Sequence, residues 1–185
     1  MKSVLLLLSF ALFACGPKTE AVDPAPAETA AAGPRWVAPE GWTEQEVQQP
    51  MRFKQFELAG ATEEQNALCV IAHWPQGIGG IEVNLDRWVG QVSAPGSTLK
   101  ARDLTADQRW VSEPDGYLVT SVHVEGTIQP MPGMGSDIAT HESGAILAGF
   151  IEVENSPEVW TVKITGPSKT IADHKDRYLQ FISGI

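Results

Sequence analysis

Residues 67–74, Ala-Leu-Cys-Val-Ile-Ala-His-Trp, are apolar at both strand parities apart from His73. A strand that alternates can float on a surface. One that is apolar on both parities is expected at the centre of a sheet, covered on both faces. Shortly after it come Gly79-Gly80, where the backbone can take positive φ without steric cost. Asn84 follows, placed to cap a short helix by accepting from the free N–H groups of its first turn. Two stripes then run at helical spacing. Leu85, Trp88, Val89 and Val92 form an apolar one, and Asn84, Arg87, Trp88 and Gln91 form a polar one that shares Trp88. Asn84, Arg87, Trp88 and Gln91 are therefore the candidate binding residues, with Arg87 offering a bidentate fork and Trp88 a stacking face. The competing structural role has Asn84 capping, Trp88 filling a core, and Arg87 and Gln91 tying neighbouring loops.

The amino end carries a different message. Lys2 gives a positive start, and Val4 to Phe13 is an almost unbroken apolar run. Spanning a bilayer takes about 20 apolar residues, roughly twice this length. The run ends at Leu12-Phe13-Ala14-Cys15, which resembles the lipobox of bacterial lipoproteins. On that resemblance residues 1–14 are a signal peptide. The Cys15 thiol then takes up diacylglycerol, and added acyl chains anchor the protein without spanning the bilayer. The residue after Cys15 is not aspartate, which by analogy with enteric lipoproteins favours the periplasmic side of the outer membrane over the inner membrane. Residues 15–34 hold Pro17, Pro24, Pro26 and Pro34 among alanines and acids, a composition expected to stay extended and disordered as a linker.

With Cys15 acylated, Cys69 is left without an intramolecular partner, and within Leu68-Cys69-Val70-Ile71 it is expected to behave as a small hydrophobe. The 13 basic and 23 acidic residues give a net charge of −10, one unit more negative once Lys2 leaves with the leader. Such a surface repels nucleic acid and anionic headgroups.

From residue 35 onward the pattern predicts a single α+β domain of about six antiparallel strands with two or more packed helices. Pro39-Glu40-Gly41-Trp42 is a turn carrying an aromatic. Met51 to Leu58 alternates, slips at Gln55 and is expected to contain a bulge. Arg109–Val111 and Tyr117–Glu125 flank a hairpin loop, and Ala145–Val153 and Val159–Thr165 form a second hairpin around Asn155-Ser156-Pro157. Between them Thr127 to Ser143 has no periodicity and is expected as a long loop. The chain closes on an amphipathic helix with Ile171, His174, Tyr178, Leu179 and Ile182 on one face. Ser168 or Thr170 is its cap, the latter in a capping box with Asp173.

Gly79-Gly80, Asn84 and Arg87-Trp88-Val89-Gly90-Gln91 together resemble a motif of uncharacterised bacterial secreted and lipid-anchored domains. Gly41-Trp42, Met51-Arg52-Phe53 and Val162-Lys163-Ile164-Thr165-Gly166-Pro167 fit the same pattern, so the resemblance covers the chain from about Trp36 to Ile185. It implies a fold of the PsbP/Mog1 type, an antiparallel sheet sandwiched by helices, and an envelope address. It implies no reaction.

No residue set adds up to a catalytic motif. Gly77-Ile78-Gly79-Gly80 lacks the third glycine of a dinucleotide loop, since Glu82 stands there, and lacks the Gly-Lys-Ser/Thr ending of a P-loop. Gly135-Ser136-Asp137 and Glu142-Ser143-Gly144 are not nucleophile elbows. His73, His123, His141 and His174 are scattered, with only His123 and Glu125 at two-residue spacing on one strand face. Met131, Met134 and His141 could offer soft ligands to Cu(I), although two thioethers are more often loop packing. No cofactor is expected beyond the acyl lipid on Cys15. The expected function is that of a lipid-anchored accessory protein acting by binding, held to the membrane by its anchor, with an envelope protein as partner and no nucleic acid. The alternatives are an envelope enzyme with a site between the Asn84 helix and the 127–143 loop, where Arg87, His123 or His141 would converge with an acid, or a metal carrier.

Overall fold

In the computed structural model, which describes residues 33–92, 97–128 and 141–185, seven strands pair in one antiparallel sheet. They are β1 (Trp42–Gln45), β2 (Lys54–Leu58), β3 (Ala67–Trp74), β4 (Arg109–Ser112), β5 (Tyr117–Ile128), β6 (His141–Val153) and β7 (Val159–Pro167). Their order across the sheet is β1-β2-β3-β7-β6-β5-β4. Two meanders, β1–β3 and β4–β7, thus meet where β3 pairs antiparallel with β7 from Leu68↔Thr165 to Trp74↔Val159. Helix α1 (Ile81–Gly90) lies in the connection between the meanders, and α2 (Ser168–Ser183) follows β7. The chain divides into two units, residues 1–33 and 34–185, and the elements above all belong to the second. No helix among the described residues is long and apolar enough to cross a membrane.

Alternation along the strands sends side chains to two separate cores. On one face Phe56, Cys69, Ile71, Leu147, Val162 and Ile164 pack with Ile171, Tyr178, Phe181 and Ile182 of α2. On the other, Val122, Val124, Ile146, Ala148 and Phe150 pack with Leu85, Trp88 and Val89 of α1. Each fully buried side chain of this size stabilises by about 1.5–3 kcal/mol.

Two polar clusters under α2 are hydrogen-bonded. The Tyr178 hydroxyl meets Ser121 Oγ at 3.0 Å. Trp42 Nε1 donates to His174 Nδ1 at 3.0 Å, so Nδ1 is the acceptor, and Nε2–H donates to the Ala59 carbonyl at 3.0 Å. Gly149 belongs to this packing, because a Cβ there would lie 2.6 Å from the Tyr178 oxygen.

The fold departs from the sequence expectation in five places, three in the sheet and two in α2. The seventh strand is Trp42–Gln45: the turn at Gly41 (φ 80°) is present, but the chain then pairs with β2 from Trp42↔Leu58 to Gln45↔Gln55. β2 carries no bulge, since its register against β3 is unbroken from Lys54↔Ile71 to Leu58↔Ala67. Met51, at φ 73°, and Phe53 lie ahead of the strand, which starts at Lys54. β5 runs to Ile128 and β6 starts at His141, so only residues 129–140 of the expected loop are left, and these lie outside the described residues. On α2, Phe181 rather than Leu179 completes the buried face, with Leu179 37% exposed. Neither Ser168 nor Thr170 caps that helix; Pro167 holds the cap position and Thr170 Oγ1 donates to the Gln65 carbonyl at 2.7 Å.

Candidate functional site

Helix α1 covers only part of its face of the sheet. Its apolar stripe sits over β5 and β6, and beyond it the same face of β2, β3 and β7 floors a groove of about 910 Å³. β3 supplies Leu68, Val70, Ala72 and Trp74, and β7 supplies Thr161, Lys163 and Thr165. The expectation that β3 is covered on both faces is therefore corrected. Cys69 and Ile71 are fully buried under α2, while Leu68, Val70 and Trp74 are half-buried in the groove. The sheet continues past α1, and that continuation is what the even-numbered apolar residues of β3 line.

Asn84, Arg87, Trp88 and Gln91 all line this groove as one wall. Their local roles differ from the sequence expectation in one respect. Gly80 is the N-cap of α1, and Asn84 lies inside the first turn, its N–H bonded to the Gly80 carbonyl. Its side chain works in the opposite sense to a cap: Nδ2 donates to the carbonyls of Ile78 and Gly80, both at 3.1 Å. That leaves Oδ1 to accept from Arg87 Nη2 at 2.7 Å, which orients the exposed guanidinium. Trp88 stacks on Phe150, with centroids 4.2 Å apart and planes 17° from parallel. Trp88 is thus both core and groove wall.

Lys163 is the residue that the sequence reasoning passed over as a site. It projects from β7 beside Trp88, its Nζ 5.5 Å from the indole centroid, and donates to the buried Gln91 Oε1. Burial, and then repulsion by Arg87, lower its pKa to about 8. Among the described residues neither Lys163 nor Arg87 forms an ion pair. The acids that line the groove are Glu57, Glu63 and Glu64. A lone lysine inside the apolar run Val162-Lys163-Ile164 was the available signal.

The other candidates disperse. His141 lines the groove, but His123 lies on the opposite face, 3.7 Å from Glu125, with its pKa lowered by burial and then by Lys175. Arg87 and His141 therefore share a cavity from which His123 is separated by the sheet. His73 stacks on Trp160 at 3.8 Å, and its Nε2 and Trp160 Nε1 both meet Glu158 Oε1 at 2.7 Å, outside the groove. His174 is spent on Trp42 and Ala59. The Cys69 thiol is fully buried, and burial holds its pKa far above the usual thiol value. No group of three or more His, Cys, Asp or Glu side chains able to hold a metal occurs among the described residues. Cys15, Met131 and Met134 lie outside those residues.

No protein-family model matches the chain, and no curated protein matches it at a significant level. Among solved structures it is similar to the crystal structure of PA94, a protein of unknown function from Pseudomonas aeruginosa. The two share 15% sequence identity at a TM-score of 0.44, over 78% of this chain and 95% of that one. A likeness at that level supports no statement about activity.

Proposed function

We propose that this chain is a lipid-anchored protein of the bacterial cell envelope that acts by binding in the groove between α1 and strands β3 and β7. On this proposal the domain is of the PsbP/Mog1 type, an antiparallel sheet between helices. It is tethered through Cys15 on the periplasmic side of the outer membrane, and it serves an envelope partner or ligand as an accessory factor. The observation that carries the binding role is the convergence of Asn84, Arg87, Trp88 and Gln91 on a cavity of about 910 Å³, with Lys163 beside them. A concave site with an apolar floor and a few placed polar groups is where small domains take ligands. The Lys2, Val4–Phe13 and Cys15 sequence carries the address.

Crosslinking in the native envelope tests the binding role. A photoreactive residue at Leu68 is expected to yield an adduct by mass spectrometry, and Arg87→Gln is expected to diminish it. Equal adducts from Leu68 and from Leu118, which lies outside the groove, would refute it. Intact-mass analysis of protein from its own host tests the address, with an acylated species that fractionates with membranes as the expected result. An unacylated product in the soluble fraction would remove the tether and the accessory role with it.

A further inference from the structure

From the groove's charge and shape we infer that its ligand is a long-chain carboxylate, with the acid head between Lys163 and Arg87 and the acyl tail along β3. This rests on the groove being a binding site. It adds the chemical class of what binds.

Three observations converge. First, Arg87 and Lys163 bring two positive charges to one wall of the cavity, and no described carboxylate neutralises either. Lys163 Nζ has three donors, of which Gln91 Oε1 takes one. Arg87 has five, of which Asn84 takes one. In a chain of net charge −10, two adjacent cations with donors to spare invite an anion. Second, the floor is apolar in a line. Leu68, Val70, Ala72 and Trp74 point to the same side of β3, a strip roughly 20 Å long at ~3.3 Å per residue, of which ~13 Å runs from Val70, opposite Lys163, to Trp74. Third, that strip offers nothing to a polar backbone. The main chain of β3 is paired on both sides, with β2 and with β7. A peptide laid across it would desolvate its own N–H and C=O groups without partners. A methylene chain has no such groups.

The charge of the head follows from the rest of the groove. The charged or titratable groups lining the cavity are Arg52 and Glu57 beside β2, Glu63 and Glu64 of the neighbouring 3₁₀ turn, Arg87 of α1, His141 of β6 and Lys163 itself. Three glutamates disfavour a dianion more than a monoanion. A carboxylate carries one charge and matches the fork of Arg87.

Titration calorimetry on the mature chain bearing Cys15→Ser tests this, since no covalent acyl group then competes for the groove. The probes are palmitate below its micellar concentration, neutral monopalmitoylglycerol, 1-palmitoyl-lysophosphatidate and acetate. Palmitate is expected to bind about tenfold or more tightly than the neutral ester, the factor of one charge-assisted contact. Acetate is expected to give no heat. Arg87→Gln, an exposed side chain whose loss leaves both cores intact, is expected to weaken palmitate about tenfold, and Arg102→Gln, away from the groove, to leave it unchanged. The bound acid restores the lysine proton, so wild-type affinity is expected to be flat from about pH 6 to 7, where the carboxylate stays ionised, and to fall about tenfold or more by pH 9.5. In Lys163→Gln it is expected to stay flat. Equal binding of palmitate and the neutral ester, tighter binding of the lysophosphatidate, or no binding of any acyl probe would each overturn the assignment. Loss of these bindings with a groove-specific Leu68 adduct retained in the envelope would leave the groove a binding site for something else. Loss of both would remove the site.

Discussion

The two faces of β3 and β7 belong to the same strands yet do different work. Toward α2, Cys69, Ile71, Val162 and Ile164 are all at 0% exposure, sealed beneath Tyr178 and Ile171. Toward α1, their immediate neighbours Val70 and Lys163 stand in the groove. A two-residue period lets one strand hold the fold with one parity and present a site with the other. α2 is 16 residues long and runs under the sheet, whereas α1 has 10 and packs chiefly over β5 and β6. The shorter helix leaves the opening.

That contrast is sharpest in neighbouring substitutions. Ile71→Ala is expected to cost about 2–5 kcal/mol in urea unfolding, because a sealed core cannot collapse around the cavity. Val70→Ala, already half-exposed, is expected to cost under about 1 kcal/mol. Equal costs would break the distinction between the faces. Next in size is the buried pair Ser121–Tyr178. Tyr178→Phe is expected to destabilise by about 1–3 kcal/mol, since Ser121, itself fully buried, loses its partner.

Lys163 gives the groove face a pH response of its own. Lys163 has a folded pKa of about 8, below its unfolded value of 10.5. Between those values the unfolded chain binds more protons, so this residue makes stability rise with pH from about 8 to 10.5 and contributes no slope below that window. Comparing wild type with Lys163→Met isolates the effect. The wild type is expected to gain about 2–3 kcal/mol relative to the variant across the window. A parallel pair of pH profiles would show that Lys163 is not desolvated. The smallest effect is expected at Leu179→Gln, within about 0.5 kcal/mol, because that side chain lies off the buried face of α2.

Much of this was legible in the chain. The two hairpins and the stripes of α1 follow from local periodicity and survive in the fold; the both-parity run of β3 marks an interior strand, but only one of its faces is sealed. β1 was not legible, because four residues with one buried aromatic carry no alternation; its strand character comes from pairing with β2. The capping role given to Asn84 failed because Gly80, with no side chain to offer, already starts the helix. Phe181 displaced Leu179 because the buried face of α2 turns toward Trp42 and Phe56, whose rings meet Phe181 at 5.1 and 6.1 Å. The groove itself was invisible. An apolar residue reads alike whether a helix covers it or stops short of it, and only the register of β3 on β7 brings Lys163 opposite Val70.

The central claim is that one parity of β3 holds the fold while the other binds. The most direct measurement is a paired one, thermal unfolding together with native-envelope adduct yield, made on Val70→Ser and on Ile71→Ser with the photoreactive residue at Leu68. The expected result is that Val70→Ser keeps the wild-type midpoint within a few degrees and loses the adduct, while Ile71→Ser loses the midpoint. A Val70→Ser protein that keeps both its midpoint and its full adduct yield would contradict the account.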